Sequence, residues 1–176
     1  MPPGEVVSCP EITKEADMLY IQDNGGEYVP APKKLIFSAA RKLSGSQLRR
    51  GTCITSADLA REAIGNRLSG HQHEIFACLF LDSQHRVLAF KEMFRGTVNY
   101  TTVHPREIIK EALRKNAAAV ILAHNHPSGA VEPSSRDIDL TKKLKEILKV
   151  VDIQVLDHLV VGNTILSMAD SGYMPK

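Results

Sequence analysis

The stretch AAVILAHNHPSGAVEPSSRDIDL, residues 118–140, is the part of the sequence from which the fold is most readily predicted. Its apolar opening, residues 118–123, is short, contains β-branched residues and ends at turn residues, which predicts a buried strand. His124 and His126 follow, separated by one residue. Residues two apart in an extended chain point to the same side, so both imidazoles can reach one point.

A loop and a capped helix complete this stretch. Proline and glycine punctuate residues 127–133 and turn the chain back. Ser134 or Ser135 then suits the N-cap of a helix, with Asp137 in or near its first turn. Two imidazoles and one carboxylate form a ligand set suited to catalytic zinc, with a fourth position for water. A strand end followed by a helix that uses Asp137 for its dipole is the alternative from spacing alone.

Length and composition predict one globular domain with a short extension. The chain has 176 residues, of which 43% are hydrophobic and 24% charged, and its net charge of +2 gives no overall attraction to nucleic acid. No apolar run approaches the roughly 18 residues of a membrane span, and no secretory signal is expected at the N-terminus. The cysteines are odd in number and widely spaced, which predicts reduced thiols and a cytoplasmic location.

The remaining patterns predict an α+β fold with a mixed β-sheet flanked by helices. Strands are expected over residues 74–82, 86–94 and 118–123, with a C-terminal hairpin over 153–161 and 164–169 and extended chain over 96–103. Helices are expected over residues 57–68, after Pro105 and after Ser134. The buried face of the helix after Pro105 is predicted to comprise Ile108, Ile109, Ala112 and Leu113.

The first fifty residues differ from the rest of the chain. Residues 1 to about 30 carry no sustained periodicity and are expected to form a flexible or loosely attached arm. Residues 33–50 are the most basic stretch and predict a short helix followed by a basic link. We therefore divide the chain into an N-terminal extension, residues 1–53, partly flexible with a short basic helix, and a domain over residues 54–176.

Several separate blocks of the sequence resemble a known family. His124, His126, Ser134 and Asp137 stand at the spacing of the JAMM signature of the MPN/JAB1 metalloprotease superfamily. The blocks EIFACLFLD, RGTVNYTTVHPREIIKEAL, ILAHNHPSG, EPSSRDIDLT and VLDHLVVG resemble bacterial RadC-type proteins closely, and they occur in the same order. The resemblance runs from about Ser56 to the C-terminus, and it implies a single MPN/JAB-like domain.

The resemblance also implies a reaction and the residues that perform it. It makes His124, His126 and Asp137 the ligands of one zinc ion per chain. It makes Glu74, at the start of an early core strand, the general base, and Ser134 a group that orients or stabilises the reacting oxygen. From the residues alone, Glu74 is an exposed carboxylate at a strand end and Ser134 a helix N-cap. The function implied is zinc-dependent hydrolysis of a peptide or isopeptide-like amide bond by a metal-activated water.

Two other functions stay open from the sequence. A DNA-repair or mobile-element accessory protein is favoured only by the basic stretch 33–50. RadC-type proteins usually carry a longer N-terminal region with a helix-hairpin-helix-like module, and its glycine-containing hairpin is not found here, so we expect weak, salt-sensitive DNA binding at most. The other alternative is a non-catalytic MPN interaction module, against which the complete ligand set argues. The partner expected is a protein or peptide substrate; the sequence gives neither its identity nor the oligomeric state.

Two polar residues beside the motif are given structural interpretations. Asn125 differs from the serine or threonine common at this place in eukaryotic JAMM enzymes but fits the RadC-type pattern. In an extended chain it points away from the imidazoles, so it is interpreted as a loop-stabilising residue. His158 lies in a predicted strand and is interpreted as a hydrogen-bonded core histidine or as a group behind the metal ligands.

Overall fold

The computed structural model describes residues 19–22, 25–44, 48–96 and 102–174. The chain divides into a first unit that ends at Ile36 and a second that begins at Phe37. Parts of three predicted segments lie outside the described residues. They are the arm before residue 19, part of the basic link and most of the extended segment 96–103. The predicted domain boundary between residues 53 and 54 stays a prediction.

The first unit contains a short antiparallel hairpin that the sequence did not indicate. Strands β1 (Tyr20–Gln22) and β2 (Tyr28–Pro30) pair with Ile21 opposite Val29. Strands of three residues are too short to show a periodicity, which explains why the pattern was missed. Helix α1 (Lys33–Ser44) follows, where the sequence predicts a short helix.

The second unit is built on a mixed sheet. Its strands are β3 (Ile75–Leu81), β4 (Val87–Arg95), β5 (Ala119–Asn125), β6 (Gln154–Val161) and β7 (Ile165–Ser167). Its further helices are α2 (Ala57–Leu68), α3 (Pro105–Lys115) and α4 (Ser135–Val150). Among the described residues the sheet has five strands in the order β4-β3-β5-β6-β7, of which only β5 and β6 are parallel, joined through α4. This confirms the predicted α+β fold with a mixed sheet flanked by helices.

Apolar side chains cover both faces of this sheet. Every residue of β3 and β5 is buried, as expected for central strands with helices on either side. One face packs on α2 through Ala60, Ala63, Ile64 and Leu68. The other packs on α3 and α4 through Ile108, Ala112, Leu144 and Leu148. The longest of the helices has 16 residues, and no helix in the described part of the chain has the length and apolarity that a bilayer requires.

Helix α3 departs from its predicted buried face at one position. The sequence predicts that Leu113 is buried, but this side chain is 55% exposed and Glu111 is 7% exposed in its place. The Glu111 carboxylate accepts hydrogen bonds from the Arg114 guanidinium at 2.8 and 3.1 Å and from Lys91 Nζ at 3.1 Å. These partners allow a carboxylate to occupy an inner position that apolar periodicity would give to leucine.

Replacing Glu111 by glutamine is expected to destabilise the fold at neutral pH. The hydrogen-bonded Arg114 guanidinium, with Lys91, holds the pKa of Glu111 at about 2, below its ordinary 4.5. A lowered folded-state pKa contributes stability above the unfolded pKa, and the contribution is lost as the pH falls from about 4.5 towards 2. Urea unfolding should show a loss of about 1–3 kcal/mol at pH 7, allowing for solvent screening of the cations, and a smaller one at pH 3. Equal losses at both pH values would contradict this.

Candidate metal centre

The candidate centre lies where β5 ends. The strand extends two residues beyond the predicted end at Ala123, through His124 and Asn125, and His126 follows directly. The His126 amide donates to the carbonyl of Val161 at 2.8 Å, which continues the pairing with β6 past the end of the strand. The alternation of an extended chain therefore applies to both histidines and brings their imidazoles to one side.

Helix α4 brings Asp137 to the two imidazoles. His124 Nε2 lies 2.9 Å from His126 Nε2 and 3.4 Å from Asp137 Oδ1, and His126 Nε2 lies 3.8 Å from Asp137 Oδ2. Nitrogen and oxygen ligands of a tetrahedral zinc ion, each about 2.0–2.2 Å from the metal, lie about 3.3–3.5 Å apart. The observed separations bracket these values, so the three side chains fit one zinc ion. Within the described residues, no second group of three such side chains comes as close together.

The tautomer of His126 is determined by a backbone carbonyl. His126 Nδ1 lies 3.1 Å from the carbonyl oxygen of Ala130, in the loop after β5. A carbonyl can only accept, so in the neutral imidazole the proton is on Nδ1. The lone pair is then on Nε2, which faces His124 and Asp137. This is the arrangement that metal-bound histidines commonly adopt.

His124 is held as a neutral imidazole by burial. Its side chain is 1% exposed. Burial lowers the pKa of His124 to about 4; nearby Asp137 opposes this shift and His126 adds to it. A neutral imidazole is the form that binds a metal, so this histidine needs no deprotonation at physiological pH. On its other edge, His124 Nδ1 lies 2.8 Å from His158 Nε2.

Ser134 and Asp137 form a capping box at the start of α4. Asp137 Oδ2 accepts hydrogen bonds from the Ser134 hydroxyl at 2.5 Å and from the Ser134 amide at 2.8 Å, and the Asp137 amide donates to Ser134 Oγ at 3.3 Å. These bonds fix the carboxylate with Oδ1 towards His124. The structure therefore gives Ser134 the role of N-cap. Its role at the reacting oxygen stays a prediction, because one hydroxyl proton cannot serve both partners at once.

Glu74 directly precedes β3, the strand that pairs with the histidine-bearing strand β5. Phe76 pairs with His124, and their rings stack with centroids 6.5 Å apart. Glu74 precedes Phe76 by two residues, and the alternation of an extended chain would direct its side chain to the face that carries Phe76. Glu74 is half-buried, and its carbonyl accepts from the Gly96 amide at 2.8 Å, which extends the pairing with β4. Its role as a base stays a prediction.

Asn125 holds the backbone on either side of Glu74. Its buried side chain accepts from the Ile75 amide through Oδ1 at 2.8 Å and donates from Nδ2 to the carbonyl of His73 at 3.0 Å. The amide therefore points away from the imidazoles, as predicted. It stabilises the entry to β3, however, and not the loop that follows the histidines. Its two partners precede it by about fifty residues in the chain.

The turn between β6 and β7 supports the loop that carries His126. The Asn163 amide donates to the carbonyl of Gly129 at 2.8 Å. A Cβ atom at Gly162 would lie 2.4 Å from the Gly129 oxygen, so this close approach requires glycine. Beside the loop is a pocket of about 310 Å³, part of whose wall is formed by Phe37, Leu68, Gly70, His126, Pro127 and Val161. A ligand in this pocket would lie next to one imidazole of the centre.

Thr141 is a polar residue near the centre for which no function was predicted. It lies on the inner face of α4 and is fully buried there. Its hydroxyl lies 2.6 Å from His158 Nδ1 and 2.5 Å from the carbonyl oxygen of Asp137. The only signal in the sequence was a hydroxyl on an otherwise apolar helix face. Its partner, His158, is the hydrogen-bonded core histidine that was predicted, and it contacts His124 as well.

The fold and the cluster together define a class of protein. A JAB-type arrangement has a mixed sheet between helices, with a His-x-His pair and an aspartate grouped at the end of a central strand. Residues 54–173 match the family model described as the RadC-like JAB domain. The chain therefore belongs to the RadC-like JAB family, which confirms the resemblance stated from its sequence.

The chain is also similar to proteins named only UPF0758. It is 48% identical over 144 residues to one from Thioalkalivibrio sulfidiphilus. This match covers 82% of this chain and 65% of that relative. It is 49% identical over 139 residues to one from Vibrio cholerae, and this match covers 79% of this chain and 88% of that relative. One from Nitrosococcus oceani is 53% identical over 128 residues, covering 72% and 57%. The match with the T. sulfidiphilus relative thus spans a little under two thirds of that relative's length.

Proposed function

We propose that this chain is a zinc-dependent hydrolase of JAMM type that cleaves a peptide or isopeptide-like amide bond. The observation that carries the proposal is the convergence of His124, His126 and Asp137 at the end of the sheet where Glu74 directly precedes β3. Membership of the RadC-like JAB family supports it, because the superfamily includes hydrolases. A carboxylate beside a three-ligand metal site suits amide hydrolysis, which needs one base and one acidified water.

Each residue has a separate task in the proposed reaction. His124, His126 and Asp137 would hold the zinc ion, which when bound supplies a water acidified to a pKa near 7. The Glu74 carboxylate takes a proton from the attacking water and gives it to the leaving amine. The Ser134 hydroxyl, once released from Asp137, donates a hydrogen bond to the developing oxyanion.

The pocket beside His126 supports a peptide-like substrate. Its walls combine apolar side chains, such as Phe37, and polar ones, such as His71 and Asn163, with the glycine backbone at Gly70 and Gly162. An extended peptide can lay its backbone along glycines more closely than along larger residues. We therefore propose a protein or peptide as the partner of this surface, with nucleic-acid binding weak at most.

A cytoplasmic location is part of the same proposal. Cys53 and Cys78, the cysteines within the described residues, are free thiols. Burial in the core raises the pKa of the Cys78 thiol, so this side chain is unreactive. Free thiols are the usual state of cysteine in a reducing compartment.

Removal of metal is expected to abolish the activity reversibly. The full chain, loaded with zinc, would be incubated with a library of linear and isopeptide-linked peptides, and the products identified by mass spectrometry. Cleavage should stop after treatment with a zinc chelator and return when zinc is restored, because hydrolysis depends on the acidified water. Cleavage that persists at full rate without metal would refute the proposal. A loaded chain that cleaves no amide would favour the interaction-module alternative.

A further inference from the structure

A continuous chain of hydrogen bonds links two of the proposed metal ligands behind the centre. His124 Nδ1 lies 2.8 Å from His158 Nε2, and His158 Nδ1 lies 2.6 Å from Thr141 Oγ1. Thr141 Oγ1 lies 2.5 Å from the carbonyl oxygen of Asp137, one helical turn earlier in α4. His158 and Thr141 are fully buried, and His124 is 1% exposed. The chain thus starts at one proposed ligand and ends at the backbone of another.

The last partner in this chain determines the direction of every bond. The Asp137 carbonyl can only accept, so the single hydroxyl proton of Thr141 is donated to it. The Thr141 oxygen then accepts from His158 Nδ1, which places the proton of this neutral imidazole on Nδ1. His158 Nε2 is left as an acceptor, and it receives the proton of His124 Nδ1.

This direction leaves the inner nitrogen of His124 with its lone pair. His124 Nε2 faces His126 Nε2 and Asp137 Oδ1, the other two proposed ligand groups. The carbonyl oxygen of Ala130 lies 3.1 Å from His126 Nδ1 and likewise leaves the lone pair of His126 on Nε2. The tautomers of the two imidazoles are therefore determined by different groups. A backbone carbonyl determines that of His126, and the side chains of His158 and Thr141 determine that of His124.

We propose that His158 and Thr141 are positioning residues of the metal centre, which fix the tautomer and orientation of His124 and tie it to the first turn of α4. This inference rests on the proposed function, since it assumes that His124 binds zinc. Neither residue is itself a proposed metal ligand. Their effect is exerted through His124 and through the helix that carries Asp137.

The setting of His158 supports a specific role. Its ring packs edge-on against Phe76, with centroids 5.5 Å apart, in an apolar layer of the sheet. A neutral imidazole with both nitrogens bonded meets its hydrogen-bonding needs in this layer, whereas an unbonded one would be costly there.

The test is zinc affinity of the full chain, measured by competition with a chromophoric chelator. The variant His158→Phe keeps a ring of similar shape but removes the acceptor for His124, and the zinc dissociation constant should rise about 10–100-fold. His158→Gln, whose amide oxygen can accept from His124, should recover part of this loss. Thr141→Val removes the hydroxyl without changing the shape and should also weaken binding, whereas Thr141→Ser should stay near wild type.

The tautomer of His158 gives a readout that a merely structural role would not move. Long-range proton–nitrogen NMR of the zinc-loaded wild type should show the proton of His158 on Nδ1, and a proton on Nε2 would overturn the inference. His158→Phe, folded by circular dichroism, with wild-type zinc affinity would do the same. If His158→Phe does not fold, equal affinities for Thr141→Val and Thr141→Ser would overturn it. A wild type that binds no zinc would instead refute the proposed function, and this inference with it.

Discussion

Glu74→Gln is expected to lower the rate of amide hydrolysis by about two to four orders of magnitude, the usual contribution of a positioned general base. Glutamine keeps the size of the side chain and its ability to form hydrogen bonds, but it cannot take a proton at neutral pH. Glu74 is proposed as a base and not as a ligand, so the zinc content of the variant should equal that of wild type. The clamp that Asn125 forms around the backbone at residue 74 is also unchanged by this substitution.

The matched control for this variant is Glu132→Gln. Glu132 is an exposed carboxylate in the loop between His126 and α4, so the same chemical change is made near the centre without removing the proposed base. Hydrolysis by Glu132→Gln should stay near the wild-type rate. If Glu74→Gln cleaves as fast as wild type, the base is another residue. If it loses zinc, Glu74 is a ligand, and the proposed division of tasks is wrong.

Asp137→Asn is expected to weaken zinc binding more than 100-fold, beyond the 10–100-fold typical of residues that act behind the ligands, and to abolish hydrolysis. The Ser134 amide and hydroxyl both donate to Asp137 Oδ2. In the variant they would keep the amide oxygen, so the amide nitrogen would turn towards the imidazoles. That nitrogen carries protons and has no lone pair for a metal. A chelator competition assay measures the loss directly.

Asp139→Asn is the matched control for this substitution. Asp139 is exposed and lies on the same helix, two residues beyond Asp137, so its replacement removes the same charge without touching the centre. Its zinc affinity should match that of wild type, and both variants should keep the wild-type circular dichroism spectrum. Wild-type affinity in a folded Asp137→Asn would remove this residue from the ligand set.

Most of the fold was predictable because its elements carry strong local signals. The seven apolar residues of β3 form a continuous run, and the N-cap of helix α4, Ser134, is followed three residues later by Asp137. The hairpin at residues 20–30 was missed because its strands have three residues each. Glu111 was missed as an inner residue because one of its partners, Lys91, belongs to a different element, and its pairing with Arg114 three residues later is equally typical of an exposed helix face.

In the candidate site, too, local signals predicted some of the residues but not the contacts that support them. His124 lies in β5, His126 directly follows this strand and Asp137 lies on the next helix, so spacing and family resemblance were sufficient to nominate them. The supporting contacts join distant parts of the chain: Asn125 reaches Ile75, 50 residues away, and Thr141 reaches His158, 17 residues away. Such pairs depend on strand register and on how α4 packs against the sheet. No local periodicity contains that information.

The most direct test of the central claim is the zinc content of the purified full chain, measured by mass spectrometry alongside Asp137→Asn and Glu74→Gln. The claim is that His124, His126 and Asp137 together hold one zinc ion. Wild type and Glu74→Gln should each carry about one zinc per chain, and Asp137→Asn should carry almost none, as expected for a three-ligand catalytic site. A wild type without zinc after incubation with the metal, or an Asp137→Asn variant with full zinc content, would contradict the claim.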